Sequence, residues 1–417
     1  MSKSIGIIGG GIIGLSSAYY LMKAGHKVTI IDKGDFENGC SFGNAGMIVP
    51  SHFVPLAAPG MIAKGIRWMF DSESPFYVRP RLDLDLLRWG YLFYKSATKE
   101  NVSKAIPALK ELSLLSKSLY GQWSKDLPFD FGYHERGLMM LYKTIEVEEE
   151  ERETAHLASQ HGIEAKILDP DEVQALEPEV RVNVRGGVYF PGDAHLSPNI
   201  LVGNLIKFLA GQGVSFNSNT EVSGFSISEK MVESVRTSQG NFSFDEIVFA
   251  AGSWSGKLGK QLHLDLPMQG GKGYSFTLDA VTRNIRVPSI FVEARVAVTP
   301  MGNSLRFGGT MEIAGVNHDI NMNRVKGIVK SIPSYYPDMN VDIPSKGRIW
   351  HGLRPCSPDG LPYVGRSSRI KNLILATGHA MLGLSLGPGT GKIIAEMVGS
   401  QNLSMGIGAF DPERFSR

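Results

Sequence analysis

The chain has 417 residues, 42% apolar and 20% charged, with a formal net charge of +2. That length suits two domains with sizeable cores, and balanced charge without a basic stripe excludes nucleic acid as the expected partner. Cys40 and Cys356 stand far apart without ligand spacing, which excludes a disulfide framework and a zinc site, so no metal is expected and a reducing, cytoplasmic compartment is.

In chain order, residues 4–8 read as a buried strand, 12–24 as a helix and 27–32 as a second strand. The apolar run 5–15 has the outline of a secretory leader, but five Gly interrupt it and a strand follows at once. Residues 82–97 and 105–123 read as helices. A helix at 199–212 and strands at 214–216 and 246–250 resume the first pattern. Strand-like runs then follow at 272–278, 290–292, 295–299 and 304–310, the last two joined by the turn Pro300-Met301-Gly302-Asn303. A strand at 372–376 and a helix at 388–398 close the chain. No run approaches the roughly 18 apolar residues of a membrane span. The simplest arrangement is an α/β fold: a Rossmann-like nucleotide domain from residues 1–56, 181–264 and 346–417, interleaved with an antiparallel-sheet domain from 57–180 and 265–345.

Gly9-Gly10-Gly11-Ile12-Ile13-Gly14 falls between the first strand and the first helix, the context that a dinucleotide fingerprint requires. Gly9 allows the tight turn, Gly11 lets the backbone approach a pyrophosphate, and Gly14 lets helix and strand pack closely. Free N–H groups at the helix start attract the phosphates. Asp32, closing the second strand, is placed to accept hydrogen bonds from a ribose. The motif alone does not choose between FAD and NAD.

Downstream segments make that choice. Ser41-Phe42-Gly43-Asn44-Ala45-Gly46, Ala250-Ala251-Gly252-Ser253-Trp254, Gly352-Leu353-Arg354-Pro355 with Pro358-Asp359-Gly360, Gly378-His379-Ala380-Met381-Leu382-Gly383 and Gly387-Pro388-Gly389-Thr390-Gly391 run collinearly along the chain. Together they resemble the FAD-dependent D-amino-acid dehydrogenase, glycine oxidase and D-amino-acid oxidase family. Gly192-Asp193-Ala194-His195 and Lys272-Gly273-Tyr274-Ser275 are similar to segments of its dehydrogenase branch. The resemblance implies non-covalent FAD, with contacts from Gly9, Gly11, Ile13, Gly14, Asp32, Lys33, Ser41, Asn44, Ala45, Gly46, Val222, Ala251, Gly252, Trp254, Gly378, Leu382, Gly383 and Thr390. A helix beginning near Pro388, with Gly387, Gly389 and Gly391 permitting close approach, is expected to turn its positive end to the flavin.

The resemblance further implies oxidation of a D-amino acid or a cyclic imino acid such as D-proline or D-hydroxyproline. A glycine- or sarcosine-type amine oxidase is the alternative, and a tRNA-modifying flavoprotein or binding module the alternative from another class. Such chemistry needs a carboxylate clamp and an oriented Cα–H more than a protein base. Arg354 is the expected clamp, since its planar fork holds a carboxylate by two parallel bonds; a bracing salt bridge to Asp359 is the competing role. Tyr274 is a candidate second donor, and His195 and His379 candidates for lining the flavin or positioning the amine. Glu312 is weighed as an ammonium partner against a solvated hairpin end. Cys356 is not expected to link the flavin covalently, for nothing activates its thiol. The aromatic stretch 89–94, with Trp68-Met69-Phe70 before it, fits either core packing or a peripheral contact with the inner face of the cell membrane, which bears on whether oxygen or a respiratory quinone accepts the electrons.

Overall fold

Two sheets divide the chain between them. The computed structural model describes residues 1–69 and 73–416; Phe70 of the aromatic stretch and Arg417, the end of the last nucleotide segment, lie outside the described residues. The smaller sheet has six strands in the order Tyr363–Arg366, Leu373–Thr377, Glu246–Phe249, Ser4–Ile8, Lys27–Ile31, Ser215–Asn217. All its pairs are parallel except the edge pair Tyr363–Arg366 with Leu373–Thr377. Its central strands are largely apolar, with Ile5, Ile7, Ile30 and Val248 buried, because helices cover the sheet.

Helix Ile12–Lys23 packs on that sheet and carries helix Gly383–Val398, which in turn packs on the long helix Lys99–Asp126. The last of these begins six residues before the expected start, where the Thr98 side chain accepts from Asn101 N at 3.2 Å, and it absorbs Pro107 within its early turns.

The larger sheet, mostly antiparallel, runs Trp350–Cys356, Gln269–Leu278, Ser304–Ile313, Val296–Met301, Ser289–Phe291, Leu138–Tyr142, Gly186–Phe190, Lys166–Leu168, with Phe76–Val78 added beside the end of Ser304–Ile313. Gly186–Phe190 and Trp350–Cys356 belong to this sheet although they fall inside segments 181–264 and 346–417, so the chain passes between the layers within those segments. Helix Met322–Tyr335 covers one face of the larger sheet through Val325, Ile328 and Ile332. The opposite face, together with helices Met61–Met69 and Leu84–Ser96, encloses a cavity against the loops of the smaller sheet.

Candidate active site

The glycine loop has the geometry its sequence implies. Gly9 adopts φ +109°, and a Cβ there would sit 2.3 Å from Ala250 O; a Cβ on Gly14 would meet Gly9 O at 2.0 Å. Both glycines therefore serve close backbone packing. A Cβ on Gly11 would meet only Ser41 Oγ, at 3.4 Å, which leaves that side of the loop open. Gly11 caps helix Ile12–Lys23 without a side-chain bond, and Ser41 Oγ accepts from Ile12 N at 2.9 Å. No acidic residue occupies the first turn, so the helix offers its N–H groups and partial positive charge to an anion. The Asp32 carboxylate, expected to serve a ribose, accepts from Gly10 N at 2.7 Å and Gly34 N at 2.8 Å, which ties it to the glycine loop. Lys33 Nζ lies 3.5 Å from the Trp254 ring centroid, joining the end of strand Lys27–Ile31 to the turn after Glu246–Phe249, where Ala251 caps the 3-10 turn Gly252–Trp254. Thr220 N donates to Asp32 O, bringing the start of strand Val222–Ser228 to the same corner.

The C-terminal segment departs from expectation. The helix begins at Gly383, five residues before Pro388, after a 3-10 turn Ala380–Leu382 that Gly378 enters with φ +80°. A Cβ on Gly387 would meet Ile12 Cγ1 at 2.9 Å, one on Gly389 Leu112 Cδ1 at 3.0 Å, and one on Gly391 Ser16 C at 2.4 Å. These glycines bring three helices together rather than admit a ligand. Thr390 is fully buried and pairs with His379 Nε2 at 3.1 Å, so it too is internal. The uncapped, positive end is at Leu382 and Gly383, which are among the expected contacts.

The cavity has a volume of about 540 Å³. Its walls are largely apolar, with Met61, Trp68, Phe76, Trp89, Phe93 and Met311 among them, and the Asn44 and Ala45 loop and Leu382 lie at one side. Arg354 lines it. Trp350, Gly352 and Arg354 alternate along one face of their strand and all reach the cavity. The guanidinium crosses Gly273, where a Cβ would lie 2.3 Å from Arg354 Nη2, so only glycine leaves room for it. Arg354 Nη1 donates to Thr310 O at 2.6 Å. No carboxylate among the described residues pairs with Arg354; Asp359 instead takes Arg414, at 2.6 and 2.9 Å, which removes the bracing-bridge role. Burial lowers the Arg354 pKa, a small opposing push coming from the nearby Cys40 and Cys356 thiols.

Of the other candidates only Tyr274 belongs to the cavity lining, and its hydroxyl is engaged elsewhere. The Tyr274 hydroxyl donates to Glu312 Oε2 at 2.9 Å and accepts from Asn321 N at 3.1 Å, and its ring packs in the core under helix Met322–Tyr335. Burial, followed by the Glu312 carboxylate, raises its pKa above the usual phenol range. Glu312 is buried, not a solvated hairpin end, and its partner cation is the chain's own Lys272, at 3.7 Å. His195 is buried in the two-residue strand Ala194–His195, against Met47 and beside His134, outside the cavity wall; its Nδ1 has no partner and burial lowers its pKa to about 3. His379 is likewise held neutral by burial, at about 3. Neither imidazole is placed to take a proton in the cavity.

Two buried donors on the wall lack an acceptor among the described residues, Thr310 Oγ1 and Trp350 Nε1. The Trp350 ring presses on Gly43, where a Cβ would lie 2.0 Å from it, in the loop expected beside the flavin. Sequence reading missed both, since neither belongs to a quoted motif; the signal for Trp350 was its alternation with Arg354. Arg306 fixes the same loop from behind, with Nη1 donating to Asn44 O at 2.8 Å and Nε to Thr277 Oγ1 at 3.0 Å. An uncapped helix start, an open glycine face and an orphaned indole N–H thus fit a dinucleotide with an aromatic head.

The model of the family described as FAD dependent oxidoreductase matches residues 4–397. The chain belongs to this family. It is 34% identical over 399 residues to the D-amino acid dehydrogenase of Helicobacter pylori, covering 95% of each chain, and 32% identical over 399 residues to the enzyme of that name from Granulibacter bethesdensis, covering 94% of each. Among solved structures, glycine oxidase from Geobacillus kaustophilus superposes with a TM-score of 0.78 at 23% identity, covering 99% of each chain. L-Proline dehydrogenase from P. horikoshii does so with 0.77 at 18% identity, covering 100% of this chain and 98% of that one. The protein is an FAD-dependent oxidoreductase whose mixed α/β architecture is that of these neighbours.

Proposed function

We propose that this flavoenzyme oxidises the C–N bond of a small D-amino acid or cyclic imino acid of the D-proline or D-hydroxyproline kind. The observation that carries the reading is Arg354, a half-buried cation on the wall of an apolar cavity with no carboxylate partner among the described residues. A cation held against apolar walls without a counter-ion is destabilising, and an incoming anion relieves that cost. A substrate carboxylate supplies the missing partner in the bidentate geometry that guanidinium favours. The names of the curated relatives support the amino-acid substrate.

None of the described lining residues is Asp or Glu, so the described wall offers no anion to hold a substrate ammonium. The amine therefore binds neutral, and its lone pair assists loss of hydride from Cα. Bound FAD supplies the two-electron acceptor. Water hydrolyses the resulting iminium to a 2-oxo acid with release of ammonium, or the product stays a cyclic imine when the nitrogen is in a ring. Gly9, Gly11, Ile13, Gly14, Asp32, Lys33, Ser41, Asn44, Ala45, Gly46, Val222, Ala251, Gly252, Trp254, Gly378, Leu382 and Gly383 form the proposed cofactor contacts. Attachment is non-covalent: the Cys356 thiol is buried beside Met311 Sδ at 3.9 Å, and burial pushes its pKa up to about 12.

Helix Leu84–Ser96 turns Trp89 and Phe93 inward and leaves Leu84, Leu87, Tyr91 and Tyr94 exposed. No helix among the described residues is long and apolar enough to cross a membrane. The exposed face instead suits peripheral contact with a membrane carrying a quinone acceptor. Anaerobic bleaching of the flavin by D-alanine, D-proline, cis-4-hydroxy-D-proline, glycine and sarcosine tests the substrate class. Bleaching by glycine and sarcosine alone would replace the reading with the glycine-oxidase type, whose fold it shares. Reoxidation by oxygen against a soluble quinone, with and without anionic vesicles, tests the acceptor.

A further inference from the structure

Thr310 occupies the one register break between the strands Gln269–Leu278 and Ser304–Ile313. Tyr274 pairs with Gly309 while Lys272 pairs with Glu312, so Thr310 and Met311 together oppose Gly273, forming a bulge. Thr310 adopts φ +65°, a left-handed conformation that β-branched residues avoid. Strain of this kind persists where the surroundings impose it, and it concentrates at ligand sites. One consequence is visible: the bulge turns the Thr310 carbonyl onto Arg354 Nη1 at 2.6 Å. The hydroxyl of the same residue is buried at the cavity wall with neither donor nor acceptor among the described residues.

The other wall hydroxyls near it are engaged. Ser275 Oγ donates to Gly43 O at 2.9 Å; Ser385 Oγ donates to Met47 O at 3.0 Å and accepts from Val49 N at 2.9 Å. The Tyr274 phenol, the expected second donor, is committed to Glu312 and Asn321. Trp350 Nε1 is free as well, but its ring lies against Gly43 on the cofactor side. A buried hydroxyl left unsatisfied is destabilising and calls for a partner that arrives with a ligand.

We propose that Thr310 is the second carboxylate-binding residue of the site: its Oγ1–H donates to the substrate carboxylate while its carbonyl sets the plane of the Arg354 guanidinium. The proposal rests on the reading that Arg354 binds the substrate carboxylate. It assigns one bulge two tasks, orienting the clamp and completing it.

The test uses flavin-loaded enzyme and cyclopentanecarboxylate, an acid with no amine to oxidise, titrated through its perturbation of the flavin absorbance. Thr310→Ala is expected to raise Kd about ten- to a hundredfold, as for a hydrogen bond to a charged group. Thr310→Ser is expected to restore tight binding. The melting temperature of Thr310→Ala should not fall, because the change deletes an unsatisfied group. Affinity for the neutral cyclopentanol should be unchanged. Wild-type Kd in Thr310→Ala, with binding abolished in Arg354→Ala, would make Thr310 a packing residue and end this proposal alone. Wild-type Kd in Arg354→Ala would overturn the reading beneath it. If Thr310→Ala does not fold, Thr310→Val against Thr310→Ser decides by the same titration, since Val keeps the shape and lacks the donor.

Discussion

The two faces of the larger sheet treat buried charge in opposite ways. Under helix Met322–Tyr335, Lys272 Nζ donates to Asn317 Oδ1 at 2.5 Å and to Asp319 O at 2.6 Å, stands 3.7 Å from Glu312, and lies beside the Glu312-bound Tyr274. Lys272 and Glu312 each have a partner within the chain. On the cavity face Arg354, from the neighbouring strand, has a single backbone acceptor and no counter-ion among the described residues. The paired face braces the fold; the unpaired face awaits a ligand. A buried ion is informative about function according to what it lacks.

The largest effect should come from Arg354→Ala. Flavin content should stay at wild-type level while kcat/KM falls about 10²- to 10⁴-fold, the loss of two charge-assisted bonds. Normal kinetics would erase the distinction between the faces. Next is Lys272→Met, which strands the Glu312 carboxylate. Urea unfolding should show a loss of about 3–5 kcal/mol, with KM of the folded enzyme little changed. Full stability would mean the network is not structural.

Tyr274→Phe sharpens the contrast further. It removes a phenol from the paired face, so stability should fall by about 1–2 kcal/mol with carboxylate affinity intact. A large rise in KM would instead restore Tyr274 to the clamp. The smallest effect is on acid stability. Burial holds His195 and His379 at about 3 and His52 at about 4, below the ordinary 6.5. The unfolded chain then binds protons that the folded one refuses, so stability is complete above about pH 6.5 and is lost as pH falls toward the folded values. His379→Gln should flatten that decline between pH 6.5 and 4 in thermal melts. An unchanged slope would show that His379 does not titrate on unfolding.

Local pattern carried the nucleotide half because its signals are short in range. Strand, glycine turn, helix and Asp32 lie within one βαβ unit, and the positive φ of Gly9 and the close approach at Gly14 follow from that unit alone. The glycines at 387, 389 and 391 misled for the reason that close approach has no address in sequence: they meet Ile12, Leu112 and Ser16, residues hundreds of positions away. Glu312 misled in the same way, as its surroundings at Lys272 and Tyr274 come from a different strand.

By itself the sequence determined the family, the cofactor, the two-sheet α/β architecture and Arg354 as a residue to watch, because motifs and periodicity are properties of neighbours along the chain. Only the tertiary structure decided that Asp359 goes to Arg414, that Tyr274 faces away from the clamp, and that Thr310 stands beside it. The first joins a turn to the C-terminal tail, and the other two depend on strand register and on a one-residue bulge. Such a bulge shifts every following side chain to the opposite face while leaving almost no trace in composition.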